Sequence, residues 1–124
     1  MPGGSEMAQF NNRKTNKYGN RKVLLDGYSF DSVKEANRYK ELMMLQKCGE
    51  IDGLKLQPVY VLLDGFDYKG KRIRAIKYIG DFEYIESKTG EKVLEDTKGF
   101  KTKDYLLKAK MLKNRYPEID FREL

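Results

Sequence analysis

Hydrophobic and polar positions change period several times along the chain, and each change marks a predicted element. In residues 22–30 (KVLLDGYSF) two short apolar runs flank Asp26-Gly27, the pattern of a tight hairpin. From Asp31-Ser32 the spacing lengthens. Ala36, Tyr39, Leu42, Met43 and Gln46 fall on or beside one face of a helix that runs to about Lys47, with Gly49 as its stop. Residues 54–63 (LKLQPVYVLL) then read as a strand in which Pro58 marks an edge or a beginning. A loop at 64–70 leads to a longer strand at 73–85 (IRAIKYIGDFEYI), and a turn at 87–90 to a third strand at 93–98. Together the three predict an antiparallel meander. Tyr105, Ala109, Leu112 and Tyr116 recur at helical spacing over residues 102–116, Pro117 ends that helix, and residues 119–124 predict a short final strand. The expected class is mixed α/β (α+β).

Composition changes this picture in three places. Residues 1–17 are rich in Gly, Asn and Lys with no apolar period, which predicts a flexible basic arm, and the six residues ahead of Met7 are open to a vector-derived origin. The rest, residues 18–124, is expected to fold as a single domain, since a chain of 124 residues suffices for one core and not for two. No apolar run approaches the roughly 20 residues a bilayer crossing needs, so the expectation is a cytoplasmic protein with no membrane partner. A formal charge of +6 favours a polyanionic partner. The candidate contacts are Arg21 and Lys22 at the exit of the arm, and Lys101, Lys103, Lys108, Lys110, Lys113 and Arg115 in and before the closing helix. The same cations would also serve as an ordinary solvated face.

The absence of histidine narrows the chemistry further, because it removes His-based acid–base catalysis, Ser-His triads and His-ligated metals. Cys48 stands alone, which removes an internal disulfide and any cysteine-cluster zinc site. Carboxylates, lysine, tyrosine or an oxygen-held metal remain. In the run Val93-Leu94-Glu95-Asp96-Thr97-Lys98-Gly99, strand alternation puts Asp96 and Lys98 on one face and turns Thr97 away. A carboxylate there can hold a divalent cation while the ammonium steadies a phosphate or a water; a surface salt bridge is the plainer reading. Asp81 stands between Ile79 and Phe82 in an apolar strand, where an acid needs a partner. Glu35 lies on the rim of the apolar stripe of the first helix, and Ser32-x-x-Glu35 is also a capping-box pattern.

In this order, Glu35, Asp81, then Asp96-Thr97-Lys98, the chain resembles the PD-(D/E)XK nuclease superfamily over about residues 28–124. Phe30-Asp31-Ser32-x-x-Glu35 looks like the Ser-x-x-Glu of transposon-end nucleases, and Gln57-Pro58 resembles the Gln-Pro at the start of their strand. Asp96-Thr97-Lys98-Gly99 is similar to the acid-Thr-Lys-Gly of phage junction-resolving endonucleases. As a whole the chain looks like a small phage-encoded family with this signature, although Gly80 stands where the superfamily has proline. The resemblance implies a restriction-endonuclease-like core of helix, three-stranded antiparallel meander, helix and short final strand. It also implies a Mg²⁺-dependent endodeoxyribonuclease, with Mn²⁺ able to substitute, working in the host cytoplasm. Asp81, Asp96 and the Thr97 carbonyl would hold the metal, Glu35 would complete the sphere or bind a second ion, and Lys98 would position the attacking water or stabilise the developing charge. Small size without an added base-reading region points to branched DNA such as Holliday junctions in DNA recombination, and to a homodimer that cuts two strands. A degenerate fold that only binds DNA, and a sequence-specific or transposition-type nuclease, are the alternatives.

Overall fold

The computed structural model describes residues 22–97 and 101–124. The predicted arm, Arg21 and Lys98 lie outside the described residues. The chain forms two compact units, divided between Leu42 and Met43.

The first unit begins with a hairpin, β1 (Val23–Leu25) and β2 (Tyr28–Phe30), joined by Asp26 and Gly27 at φ of 53° and 82°. Two consecutive left-handed residues are what a type I′ hairpin turn requires, and Asp-Gly supplies them at low cost. Helix α1 (Val33–Lys47) follows. Phe30, Ala36, Tyr39 and Leu42 are buried, and the Phe30 and Tyr39 rings lie 5.0 Å apart, so the hairpin packs on the first turns of the helix. The Tyr39 hydroxyl donates to Asp26 at 2.9 Å. Burial, with this acceptor beside it, pushes the Tyr39 phenol up to about 12. Ser32 and Glu35 cap the helix: Glu35 N–H donates to Ser32 Oγ at 3.1 Å, and Asp31 N–H donates to Glu35 Oε1 at 3.3 Å. Both halves of a capping box are thus engaged, with the return bond one residue upstream of its usual donor.

In the second unit α1 ends as expected, with Gly49 at φ 81°. Met43, placed on the buried stripe by spacing alone, is 40% exposed. Two predicted strands each come in two pieces. The first is β3 (Ile51–Leu56) and β4 (Val59–Leu63); the second is β7 (Ile76–Ile79) and β8 (Phe82–Glu86). β3 pairs antiparallel with β8, and β4 with β7. The breaks face one another, since Gln57 N–H donates to the Asp81 carbonyl at 2.9 Å and Gly80 N–H to the Pro58 carbonyl at 3.0 Å. Gln57 at φ 51° and a proline without an N–H stop one ladder, and the partner strand bends to match.

The predicted loop after residue 63 is largely a second hairpin, β5 (Phe66–Tyr68) and β6 (Lys71–Ile73), turned by Lys69 and Gly70 at φ of 49° and 77°. Every residue of its two strands is exposed, and at three residues apiece the strands are too short for their Phe66-x-Tyr68 alternation to tell strand from loop. The third meander strand is β9 (Lys92–Asp96), antiparallel to β8; helix α2 (Lys103–Arg115) and strand β10 (Asp120–Glu123) follow. β10 lies parallel to β9 and completes a four-stranded sheet in the order β10-β9-β8-β3. A parallel neighbour reached through a helix is the usual crossover unit. Tyr105, Ala109 and Leu112 of α2 pack on Tyr60, Leu62, Tyr78 and Leu94, a core that joins the helix to the sheet. The protein is thus α+β.

Candidate functional site

Asp81 sits at the bend between β7 and β8, where the chain has left one ladder and not yet entered the next. Its N–H donates to the Glu95 carbonyl at 3.0 Å, which fixes it beside β9. Its Oδ2 accepts both the Thr97 N–H at 2.7 Å and the Thr97 hydroxyl at 2.8 Å. Asp81 thus meets this segment through Thr97, the residue that strand alternation turns away from Asp96. Asp81 Oδ1 has no hydrogen-bond partner among the described residues.

Gly80 explains the departure from proline. A Cβ at this buried position would stand 2.6 Å from Leu94 Cδ1 and 3.4 Å from its Cγ, inside the α2–sheet core. The bend that delivers Asp81 lies against Leu94, and a side chain at residue 80 would have to displace the Leu94 methyl.

Asp96 ends β9 and is 2% exposed. It accepts a hydrogen bond from the Tyr78 hydroxyl. Tyr78 is held well above the ordinary phenol range, first by burial and then by this carboxylate. Tyr105 lies next to Tyr78, ring centroids 6.3 Å apart, and donates to Glu123 Oε2 at 2.5 Å. That bond is the largest influence holding Glu123 below the usual carboxylate range, and burial, then the Glu123 acceptor, raise Tyr105. A line of tyrosines and carboxylates thus runs from Asp96 through Tyr78 and Tyr105 to Glu123, and Lys101 closes it at 3.4 Å from Glu123.

A shallow cleft of about 420 Å³ opens beside this line, lined by Lys77, Tyr78, Ile79, Thr102, Asp104, Tyr105 and Lys108. Its charged lining is Lys77 and Lys108, with Asp104 in the first turn of α2 at 3.8 Å from Lys108. Sequence reasoning passed over Lys77 and Tyr78, which strand alternation alone does not tie to Asp96; the break at Gly80 makes that contact possible. It also passed over Glu95, fully buried and accepting from the Tyr84 hydroxyl. The alternating face it shares with Thr97 was the available signal.

The predicted site residues divide between the two units. Glu35 belongs to the first and takes part in the cap described above; Asp81, Asp96 and Thr97 belong to the second, where Asp81 is bonded to Thr97 and Asp96 to Tyr78. Among the described residues no group of three or more acidic, histidine or cysteine side chains forms a ready metal cage. Asp81 Oδ1, the Asp96 carboxylate and the Thr97 carbonyl are all hard oxygen donors, the kind a divalent magnesium or manganese ion takes. Of the predicted phosphate contacts, Lys22 pairs with Asp31 at 3.0 Å, Lys108 with Asp104 at 3.8 Å and Arg115 with Asp64 at 3.4 Å. Lys113 lies over the Phe121 ring, 5.6 Å from its centroid. Lys103 and Lys110 are exposed and have no ion-pair partner among the described residues.

Residues 15–123 match the model of a family described as a protein of unknown function, DUF1064. The chain belongs to this family. The matched span covers residues of both units. No curated protein and no solved structure matched the chain.

Proposed function

We propose that this DUF1064 protein is a metal-dependent DNA endonuclease of the PD-(D/E)XK type that hydrolyses phosphodiester bonds in branched DNA and acts as a homodimer. The observation that carries the reading is the Asp81–Thr97 contact, which ties the lone aspartate of the meander to the acid-Thr-Lys segment at the end of the neighbouring strand. The element order supports it too: helix, three antiparallel strands, helix, and a last strand parallel to the third. A divalent cation held by Asp81, Asp96 and the Thr97 carbonyl would supply charge neutralisation at the scissile phosphate and a water of lowered pKa. The chain's own part is to aim those oxygens and to lay the phosphate backbone along Lys77 and Lys108, with Lys98 positioning the water.

The lack of a three-carboxylate group among the described residues favours a second reading, a fold that binds DNA without cutting it. Purified protein incubated with Mg²⁺ or Mn²⁺ on a four-way junction, a flap, a nicked duplex and a linear duplex separates the two. The nuclease reading expects cleavage of the branched substrates that EDTA stops and that Asp96→Asn abolishes, while metal-free binding by Asp96→Asn stays equal or tightens. Binding of parent protein with no cleavage under either ion returns the binding-only reading, and cleavage unaffected by EDTA removes the metal. Light scattering of the free protein reports whether it is a dimer.

A further inference from the structure

The β5–β6 hairpin is the least economical part of the second unit: all six strand residues are exposed, among them Phe66, Tyr68 and Ile73 at 42%, 57% and 39%. Register puts Phe66 opposite Ile73 and Tyr68 opposite Lys71, hence on one face, with the Asp67–Arg72 pair on the other at 3.4 Å. That gives a face of aromatic and aliphatic surface ending in a lysine, on a two-stranded ribbon whose own stability is marginal. Lys69 at the turn holds its ammonium 5.4 Å from the Tyr68 ring centroid. Lys71 and, just past the strand, Arg74 have no carboxylate in ion-pair range among the described residues. At the base, Gly65 lets the Arg72 guanidinium fold back against the backbone, where a Cβ would stand 2.8 Å from it.

An exposed aromatic face bordered by unpaired cations has a matching ligand chemistry. Flat π surfaces take up unpaired nucleobases, and the cations beside them meet the intervening phosphates. A duplex offers the phosphates but keeps its bases stacked. A partner sheet would need a longer edge than three residues. We propose that the β5–β6 hairpin is a reader of unpaired DNA, with Tyr68 and Phe66 stacking on exposed bases and Lys69, Lys71 and Arg74 contacting the flanking phosphates. It rests on the nuclease reading only in giving that enzyme its preference for branch points, where bases come unpaired; the binding itself stands without cleavage.

The chain contains no tryptophan, so Tyr68→Trp installs a single indole at the proposed contact. Its emission is expected to be quenched by an oligodeoxythymidylate and left unchanged by a blunt duplex of equal length. Tyr68→Ala with Phe66→Ala should weaken single-strand and junction binding on the order of ten- to a hundred-fold, with duplex binding within about twofold of the parent. Both side chains are exposed, and an unchanged thermal midpoint confirms that the fold is intact. Equal loss on duplex and single strand, or no quenching by either, overturns the proposal. Cleavage by the parent combined with an unaltered preference for junctions in the double variant sinks the hairpin and spares the nuclease. The reverse, no cleavage of any DNA but selective loss of single-strand binding, sinks the nuclease and spares the hairpin.

Discussion

Tyr78 and Gly80 flank one residue, Ile79, and between them they decide where both aspartates stand. The Tyr78 hydroxyl gives buried Asp96 a donor; Tyr78→Phe removes it and should cost about 1–3 kcal/mol in urea unfolding, the usual penalty for a buried polar group that loses a partner. Gly80→Ala drives a methyl into fully buried Leu94 and should cost a similar amount, about 1–3 kcal/mol, while moving Asp81 off Thr97. Cleavage should therefore fall by more in Gly80→Ala than the stability loss alone accounts for, measured at a temperature where both proteins are fully folded. Glu35 is the opposite case, its carboxylate serving the helix start through Asp31 N–H. Glu35→Gln can keep that bond but weakens any hold on a cation, so a large loss of turnover with an unchanged melting midpoint assigns it to the metal, and near-normal turnover leaves it a cap.

α2 separates its two jobs by face. Thr102 caps it, accepting the Tyr105 N–H at 3.1 Å, and Tyr105, Ala109 and Leu112 bury the inner side. Thr102→Ala should cost about 1 kcal/mol of stability, read from denaturant midpoints. Lys110→Ala with Lys113→Ala leaves the cap and the buried side chains of α2 in place and gives up only the Lys113 contact with the Phe121 ring. This pair should barely move those midpoints, yet weaken DNA binding and flatten its dependence on salt by about two units of slope, roughly one per phosphate contact. A salt slope equal to the parent's makes this a solvated face.

Across the whole molecule, tyrosine hydroxyls donate to carboxylates repeatedly: Tyr39 to Asp26, Tyr60 to Glu83, Tyr78 to Asp96, Tyr84 to Glu95 and Tyr105 to Glu123. Burial first, and these acceptors next, raise Tyr39, Tyr60, Tyr78 and Tyr105 above the ordinary value of 10.0. The folded state then holds protons that the unfolded chain has released, so this stabilisation is whole below pH 10 and is lost as pH rises through the folded values. Unfolding midpoints should fall steeply above pH 10, and less steeply in Tyr78→Phe. Much of the element plan was legible beforehand, because it follows from local spacing: the Asp26-Gly27 turn, both helices with their Ser32 and Thr102 starts, and the final strand. The acid order Asp81, Asp96-Thr97-Lys98 was legible as well, since residue types and their sequence separation are properties of the chain. Pro58 was a local signal for the first strand break, but tertiary structure alone broke the second strand at Gly80–Asp81, where backbone groups from opposite strands satisfy one another. It alone built the β5–β6 hairpin, whose three-residue strands are too short for the Phe66-x-Tyr68 alternation to tell strand from loop. And it alone chose the partners of the acids, Thr97 for Asp81 and Tyr78 for Asp96, because a hydrogen bond between residues 16 or 18 positions apart depends on where two bent strands meet, which no local pattern encodes.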